Sequence, residues 1–387
     1  MNILIISPFP LLPLSHGGRV RTYGLATGLA RAGATVHALF PWQPGVPRKE
    51  FQRDGITCHP HIWAANVIPA ILGDRLLPPI VALSGQPFAL GPQQRLRRLG
   101  RFDIIQFDFC AYPRWMELLG GRAKIVYSAH NVECDLATAQ PWRRIVRGQA
   151  LRRLARLESG SIHAADLLIT CSQTDAGRIA ELYGAARQTE VIPNGFDDAL
   201  LAIDWDHERS RTRASFGFTP DNVVLLFVGG RAHHNREAFR FLEQDLTPRL
   251  ALGARLLLVG ECCRGRQSSD PRVRNLGYVE DLKPLYAAAD IGLNPVTYGS
   301  GTSVKVIEYL AAGLRVVSTA AGMRGYEQLR ERIHKTELAD FAAVITTLGR
   351  TPPKVPPEVR ELTWGALGQQ LHRTYTRLCN RTAEGYM

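Results

Sequence analysis

The chain has 387 residues, of which 45% are hydrophobic and 21% are charged. This composition excludes a disordered or fibrous protein, and the length exceeds what one hydrophobic core ordinarily supports, so two domains are expected. The formal net charge is +12, with +7 of it in residues 1–100. A basic surface of this kind fits nucleic acid, anionic lipid or a phosphorylated ligand as partner, or plain solubility.

Cysteines and apolar runs give little sign of metal binding or membrane insertion. The adjacent pair Cys262 and Cys263 lacks the spacing of a metal site, and the seven cysteines lie mostly in apolar runs typical of a core. The N-terminal segment has no basic region typical of a signal peptide, and no apolar run reaches the ~18 residues that a membrane span needs. A cytoplasmic protein without a metal site is predicted.

The N-terminal segment predicts a strand–helix–strand unit. Asn2–Ser7 is an apolar run typical of a strand buried on both faces, and a second strand is predicted at Thr35–Leu39 after a helix. Ligands of open α/β sheets bind beyond the carboxyl ends of the strands, so Gly17, Gly18 and Arg21 are candidates for contact with an anionic ligand. The alternative is that the two glycines only make the turn.

Two further strands are predicted at Phe102–Phe107 and Lys124–Ser128, and the second leads directly into His130. A lone histidine is more often structural than catalytic, but the end of a strand in a parallel sheet is where a ligand cleft lies. His130 is therefore a candidate site residue.

A long amphipathic helix is predicted over Pro141–Ala164. A solvated basic face is one interpretation, and binding to an anionic membrane surface is the other. The residues predicted on the outer face are Arg143, Arg144, Arg147, Arg152, Arg153 and Arg156.

A domain boundary is predicted after the turn at Pro193–Asp197. The following residues are polar as far as Asp221 and are interpreted as a linker with one short helix, so the second domain is expected to start near residue 205. Its first strand, Val223–Val228, leads into a glycine-started loop that contains Arg231 and Arg236. These arginines can clamp a diphosphate by charged hydrogen bonds; alternatively, one faces solvent and the other caps a helix.

Asp290–Ala320 predicts a strand, a loop of small residues at Tyr298–Ser303, a helix and another strand. A small-residue loop that opens a helix leaves backbone N–H groups unpaired and directed at one place, which favours a phosphate group. After it, Trp364–Leu378 predicts an amphipathic helix that no strand follows, so it is free to reach back to the first domain.

Six motifs occur in the order seen in the family 4 glycosyltransferases of the group 1 type: the N-terminal glycine loop, AHNVE, VIPNGFD, VGGRAHHNR, LGYVEDL and GSGTSVKVIEYLAAGLRVVST. Across nearly its whole length the chain resembles this family. The resemblance implies the α/β fold called GT-B, in which two Rossmann-like domains have parallel sheets that face each other across a cleft. Residues 1–204 would form the acceptor-side domain, with a C-terminal helix at 365–387 packing back on it, and 205–364 the nucleotide-sugar domain.

The resemblance also assigns site residues. The second glutamate of the family's Glu-x7-Glu signature falls on Glu308, which would bind the ribose hydroxyls, whereas the first falls on Ser300. Arg231 and Arg236 match the pair that stabilises the departing diphosphate, and His130 matches the histidine that contacts the donor sugar. The remaining donor-binding assignments are Gly17 and Gly18, the loop and helix start at Gly299, Ser300, Gly301, Thr302, Ser303 and Val304, and Tyr278, where the main chain would read the base.

The implied activity is metal-independent, cofactor-free sugar transfer from a UDP- or GDP-sugar with retention of anomeric configuration. We expect a lipid-linked or growing surface-polysaccharide glycan as acceptor, peripheral contact with an anionic membrane at its inner face, and no nucleic acid as partner. One alternative is an enzyme that makes a small soluble glycoside or sugar phosphate. Another is a non-catalytic GT-B nucleotide-binding protein, because Ser300 replaces a signature carboxylate. An oxidoreductase is disfavoured because neither predicted first strand–helix turn has the G-x-G-x-x-G pattern.

Overall fold

The computed structural model describes residues 1–14, 16–61, 99–139, 144–299, 301–349 and 355–380, and of 144–147 the backbone alone. The chain divides into two compact units. The first is Met1–Pro193 with Trp364–Met387, and the second is Asn194–Thr363.

The described strands, in chain order, are β1 (Asn2–Ile6), β2 (Thr35–Pro41), β3 (Phe51–Arg53), β4 (Ile56–His61), β5 (Ile104–Asp108), β6 (Lys124–Ser128), β7 (Leu167–Thr170), β8 (Thr189–Val191), β9 (Val223–Val228), β10 (Ala254–Val259), β11 (Val273–Gly277), β12 (Ile291–Asn294), β13 (Arg315–Ser318) and β14 (Ile333–Lys335). The α-helices are α1 (Gly17–Arg31), α2 (Pro113–Leu119), α3 (Glu133–Ala139), α4 (Arg144–Ala164), α5 (Gln173–Tyr183), α6 (Trp205–Ser215), α7 (His233–Arg240), α8 (Lys283–Ala288), α9 (Val304–Ala311), α10 (Phe341–Leu348) and α11 (Trp364–Asn380).

The first unit is built on a sheet with the strand order β3-β4-β2-β1-β5-β6-β7-β8. Its neighbouring strands are parallel except for the antiparallel pair β3 and β4. This edge hairpin was not predicted from the sequence. Its turn is Asp54-Gly55, with φ values of 49° and 80°, and an Asp-Gly pair is the usual signal for a tight hairpin turn.

The second unit has a fully parallel sheet in the order β11-β10-β9-β12-β13-β14. Along β9, Val224 and Leu226 pack into the core on one face, while Leu225 and Phe227 pack into the core on the other. A strand buried on both faces must be apolar at every position, which explains the continuous apolar run seen in the sequence.

In both sheets, successive strands are first added on one side of the unit's first strand and then on its other side. β1 has β2 on one side and β5 on the other, and β9 lies between β10 and β12. At such a switch point the loops leave in opposite directions and open a crevice beyond the carboxyl ends of the strands, where ligands bind. These two places therefore locate the candidate site in each unit.

The last helix, α11, lies in the first unit against α1. A Cβ atom added at Gly28 would lie 2.1 Å from the carbonyl oxygen of Trp364, and one added at Gly368 would lie 2.1 Å from the carbonyl carbon of Gly28. Two helix backbones can approach this closely only when neither carries a side chain at the crossing, so the two glycines set the contact.

The predicted fold class, α/β with two parallel sheets, is confirmed. The structure differs from the predicted boundary at 204/205, because residues 194–204 belong to the second unit. The reason is packing: Phe196 and Leu200 are buried in the second core. The residues interpreted as a linker also include α6, whose Arg209 and Arg213 both pair with the buried carboxylate of Asp290.

Candidate functional site

A buried carboxylate and imidazole meet at the switch point of the first unit. Asp108 ends β5 and is 1% exposed, while His130 follows β6 and is 6% exposed. Asp108 Oδ2 lies 3.2 Å from His130 Nε2 and also accepts a hydrogen bond from the Thr22 hydroxyl. Gln106 Nε2 donates to Asp108 Oδ1 at 2.6 Å. Both carboxylate oxygens therefore have donors, which fixes the orientation of the pair.

The surroundings decide the charge states of this pair. Burial by itself would raise the pKa of Asp108, but the interaction with His130 and the hydrogen bonds from Thr22 and Gln106 lower it overall. Burial lowers the pKa of His130 more than Asp108 raises it. Near neutral pH the pair is thus an ionised carboxylate and a neutral imidazole. Because Nε2 donates to the carboxylate, Nδ1 carries the lone pair, and it has no hydrogen-bond partner among the residues described.

Two further contacts hold the histidine in place. The hydroxyl of Tyr375 on α11 donates to Gln106 Oε1, which extends the buried hydrogen-bond chain to the last helix. The ring of Phe109 stacks on His130 with centroids 4.2 Å apart. Phe109 has φ of 66°, a left-handed conformation that a bulky residue adopts only where its surroundings enforce it, and such residues cluster at functional sites.

Gly17 and Gly18 begin α1 at the same switch point. A Cβ atom on Gly18 would lie 3.2 Å from Phe109 Cζ, so the missing side chain lets the start of the helix approach the Phe109 ring. Gly18 also lines a small pocket next to the start of α1. Its lining includes Ser7, Phe9, Gly18, Arg19 and Phe109.

In the second unit, the loops after β9 and β12 leave the sheet on either side of the switch point. The first contains Arg231 and leads into α7, and the second contains Gly299–Ser303 and leads into α9. Gly299 and Gly301 have φ values of 143° and 72°, conformations that side chains resist. Ser300 lies outside the described residues.

The loop before α9 is fixed by side chains from other parts of the second unit. Asn194 Nδ2 donates to the carbonyl oxygen and to Oγ1 of Thr302, at 2.9 and 2.6 Å. The Tyr326 hydroxyl donates to the carbonyl of Ser303 at 3.0 Å, and Arg324 Nη2 donates to the carbonyl of Gly299 at 2.6 Å. These bonds occupy the carbonyl oxygens of Gly299, Thr302 and Ser303. Ser303, the residue before the helix, makes no capping hydrogen bond with its side chain.

Glu308 lies on α9, one turn beyond buried Val304 at the helix start. The Tyr286 hydroxyl donates to its Oε2 at 2.8 Å. Burial and then Asp197 raise the pKa of Glu308, whereas Tyr286 and Lys305 lower it, and the result is about 7. A carboxylate in this environment gains from additional hydrogen-bond donors such as the two hydroxyls of a ribose.

The two arginines assigned to the diphosphate differ in their surroundings. Arg231 is 76% exposed along its side chain and pairs with Glu261, with Nη2 3.0 Å from Oε2. Glu261 also pairs with Arg264. Arg236 is exposed on α7. Tyr278 follows the edge strand β11 and is 45% exposed.

Four residues at the two switch points were not assigned a role from the sequence: Asp108, Asn194, Asn235 and Lys305. Asp108 had a usable signal, because it is a charged residue at the end of an otherwise buried strand, the same pattern that singled out His130. Asn194 lies in a motif interpreted as a boundary turn. Lys305 donates to Asn235 Oδ1 at 2.9 Å, and no local pattern indicates that contact.

Within the described ranges, no group of three or more histidine, cysteine, aspartate or glutamate side chains could hold a metal ion. In the same part of the chain, no helix is both long enough and apolar enough to cross a membrane.

Two family models match the chain. Residues 15–200 match a model described as "Glycosyltransferase Family 4", and residues 222–350 match one described as "Glycosyl transferases group 1". The chain belongs to the family 4 glycosyltransferases of group 1. A D-inositol 3-phosphate glycosyltransferase from Acidothermus cellulolyticus is 27% identical over 263 residues, which cover 59% of this chain and 54% of the relative. The chain thus spans about half the length of this curated relative.

Solved structures of other proteins have the same fold as this chain. A sucrose-phosphate synthase from Thermosynechococcus elongatus superposes with a TM-score of 0.66 at 17% identity, covering 100% of this chain and 98% of that chain. The Anabaena protein HepE in complex with UDP and glucose gives a TM-score of 0.63 at 17% identity, covering 100% and 99%. At these identities the likeness shows the GT-B fold alone.

Proposed function

We propose that this protein is a retaining glycosyltransferase that moves a sugar from a nucleotide-sugar donor to a hydroxyl group of an acceptor. The observation that carries the proposal is the arrangement at the second switch point. There, a loop with backbone N–H groups opens α9, and the carboxylate of Glu308 follows on the same helix. This arrangement offers donors for a diphosphate and an acceptor for ribose hydroxyls on one element.

The chemistry follows from the charge of the leaving group. Transfer breaks the bond between the sugar C1 and the diphosphate oxygen, so negative charge grows on the diphosphate and cations that meet it lower the barrier. One helix terminus contributes only about 0.3–2 kcal/mol. A charged hydrogen bond contributes roughly 1.5–3 kcal/mol, so Arg231, Arg236 and neighbouring cations carry most of the stabilisation.

Retention requires that the acceptor ends on the face that the diphosphate leaves. A double displacement would need a free carboxylate as nucleophile. Asp108 is a poor candidate, because hydrogen bonds from Thr22, Gln106 and His130 occupy both of its oxygens. We therefore favour attack from the same face: the acceptor oxygen bonds to C1, the diphosphate leaves, and the acceptor proton passes to a diphosphate oxygen. His130 contacts the donor sugar, and its Nδ1 accepts a hydrogen bond from a sugar hydroxyl.

Two classes of acceptor have support. The names of the relatives, a D-inositol 3-phosphate glycosyltransferase and a sucrose-phosphate synthase, favour a small soluble polyol or sugar phosphate over the lipid-linked glycan predicted from the sequence. A lipid-linked acceptor keeps support from the net charge of +12 and from exposed Arg152, Arg153 and Arg156 on α4. Arg143 and the side chains of Arg144 and Arg147 lie outside the described residues.

The test has two stages. Thermal shift with UDP-, GDP- and ADP-sugars identifies the donor, since a ligand that binds the folded state raises the melting temperature. The selected donor is then incubated with polyol phosphates, sugar phosphates or lipid-linked glycans in vesicles, and NMR of the product gives its anomeric configuration. Inversion would refute retention. Donor binding without transfer or hydrolysis would support the non-catalytic alternative, and no binding by any donor would refute the proposal. If the protein co-sediments with anionic vesicles no better than with neutral ones, the hypothesis of peripheral contact with an anionic membrane is wrong.

A further inference from the structure

A lysine connects the two loops at the second switch point. Lys305 lies in the first turn of α9, two residues after the end of the small-residue loop, and its Nζ donates to Asn235 Oδ1 at 2.9 Å. Asn235 lies in the first turn of α7, after the loop that contains Arg231. The strands before these loops, β9 and β12, are direct neighbours. The contact therefore joins the two helix starts that border the crevice.

The lysine is held but not neutralised. Its Nζ lies 4.4 Å from the centroid of the Phe227 ring, and a cation over an aromatic face is attracted by the ring electrons. Asn235 is a neutral partner and is itself buried. An ammonium group has three N–H donors, and among the described residues a hydrogen bond to Asn235 accounts for one of them.

Arg231, the cation assigned from the sequence, is placed differently. Its guanidinium makes a close pair with Glu261, and that carboxylate also attracts Arg264. A diphosphate would have to compete with Glu261 for Arg231, whereas at Lys305 it meets a cation without an acidic hydrogen-bond partner in the described residues. Ionisable groups around Lys305 are Glu308 on its own helix, Cys262 after β10 and His234 on α7.

We infer that Lys305, positioned by Asn235 and Phe227, is the cation that contacts the diphosphate of the bound donor before transfer begins. The inference rests on the proposed function and deepens it. Lys305 then supplies ground-state binding, while Arg231 contributes as the leaving group gains charge. The electrostatics agree with this assignment: burial lowers the pKa of Lys305 to about 8 although Cys262 and Glu308 raise it, so an approaching diphosphate stabilises the ammonium form.

Calorimetric titration tests the inference. UDP, GDP and ADP are titrated into the wild-type protein at pH 7, and the tightest is used together with its nucleoside, which lacks phosphates. Lys305→Met keeps the unbranched apolar stem and removes the charge. We expect about 10- to 100-fold weaker binding of the diphosphate and a much smaller loss for the nucleoside, because Lys305 affects the nucleoside only by lowering the pKa of Glu308. Lys305→Arg keeps the charge and should restore most of the affinity. Arg231→Met is the matched comparison and should cost less than about 5-fold.

A pH series adds a readout that a merely structural lysine would not give. Wild-type affinity for the diphosphate should fall above about pH 8, where the ammonium of the free protein loses its proton, and Lys305→Arg should remove this fall because arginine stays charged. Equal affinity of Lys305→Met and wild type overturns the inference but leaves the proposed function intact. Equal losses for diphosphate and nucleoside also overturn it, since they indicate a packing role. Failure of the wild type to bind any of the three nucleotides refutes the proposed function itself.

Discussion

The two switch points differ in how deeply their charged side chains are buried and in how these are paired. In the first unit, Asp108 and His130 are almost fully buried, and their polar atoms are joined by hydrogen bonds that reach Tyr375 on the last helix. At the switch point of the second unit, Lys305 and Glu308 are half-buried and Arg236 is exposed, while exposed Arg231 pairs with Glu261. In the first arrangement the carboxylate is already paired and His130 Nδ1 is the ring atom left without a partner among the described residues, whereas the second carries charges that a ligand can still engage.

The pKa shifts express the same difference. The hydrogen-bond partners of Asp108 outweigh its burial and keep the carboxylate ionised near neutral pH, whereas burial outweighs Asp108 and keeps the imidazole of His130 neutral. Burial makes the charged forms of Glu308 and Lys305 less stable than they are in water, because it raises the pKa of the carboxyl to about 7 and lowers that of the ammonium to about 8. Groups in such environments destabilise the free protein and gain from a ligand that supplies the missing partners. The comparison predicts rigid positioning in one unit and ligand-dependent stabilisation in the other.

The largest effect is expected at the buried pair. Asp108→Asn removes the charge that holds His130 and forces the amide to donate or accept with altered geometry, so kcat should fall about 100-fold. Tyr375→Phe removes an outer bond of the same chain and should cost less than about 10-fold. Steady-state kinetics with matched melting temperatures measures both. Wild-type turnover in folded Asp108→Asn would show that the buried network has no role in positioning.

The next effect concerns donor binding through Glu308. Glu308→Gln loses charged hydrogen bonds to the ribose, and the donor KM should rise about 10- to 100-fold. Wild-type affinity should fall as the pH drops below about 7, the pKa of the carboxyl, because the protonated form is a weaker acceptor. Tyr286→Phe removes a hydrogen bond that lowers this pKa and should move the midpoint upward. An affinity that is flat from pH 5 to 8 would contradict the assignment.

The same substitution should stabilise the protein without ligand. A carboxyl whose folded pKa is raised from 4.5 to about 7 favours the folded state at low pH, and this contribution is lost as the pH rises through 7. At pH 8 the free energy of unfolding of Glu308→Gln should therefore exceed that of wild type by about 1–2 kcal/mol after allowance for partial exposure. The difference should become small at pH 4, below the ordinary pKa of 4.5 at which the carboxyl of the unfolded chain gains its proton. Calorimetry at the two pH values decides the sign.

The exposed arginines should affect turnover more than binding. Arg231→Ala combined with Arg236→Ala removes cations that respond to the growing charge of the leaving group, and kcat should fall about 10- to 100-fold with a smaller change in KM. The double variant is compared with Arg264→Ala, which also contacts Glu261 and serves as a control for surface charge. If KM rises and kcat does not change, the arginines act in ground-state binding and not in stabilising the leaving group.

The smallest effect tests how the first unit holds its last helix. Gly28→Ala would place a Cβ atom 2.1 Å from the carbonyl oxygen of Trp364, and separating α1 from α11 should cost about 1–3 kcal/mol of the free energy of unfolding. Gly177→Ala in α5 is the matched control, because no atom lies within 4 Å of the added Cβ. A helix-interior alanine there should stabilise by up to about 1 kcal/mol. Chemical denaturation gives both values, and equal effects would contradict the close crossing.

Local sequence patterns predicted most of the elements. Val223–Val228 and Lys124–Ser128 are strands with the predicted bounds, because a strand buried on both faces must be apolar throughout. The hairpin of β3 and β4 was missed because β3 has only three residues and lies at the sheet edge, too short a segment for a strand pattern to show. The switch points were also within reach of the sequence, since glycine loops after apolar runs located Gly17, Gly18 and the loop before Glu308.

The sequence by itself determined the succession of strands, loops and helices and, through its ordered motifs, the family. Only the tertiary structure decided which charges meet. Tyr375 and Gln106 are 269 positions apart, Asn194 and Thr302 are 108 apart, and Lys305 and Asn235 are 70 apart. Periodicity reports which side chains are buried, whereas the partner of a buried charge depends on how distant segments pack. That is why the pairing of Arg231 with Glu261 and of His130 with Asp108 emerged from the fold and not from the motifs.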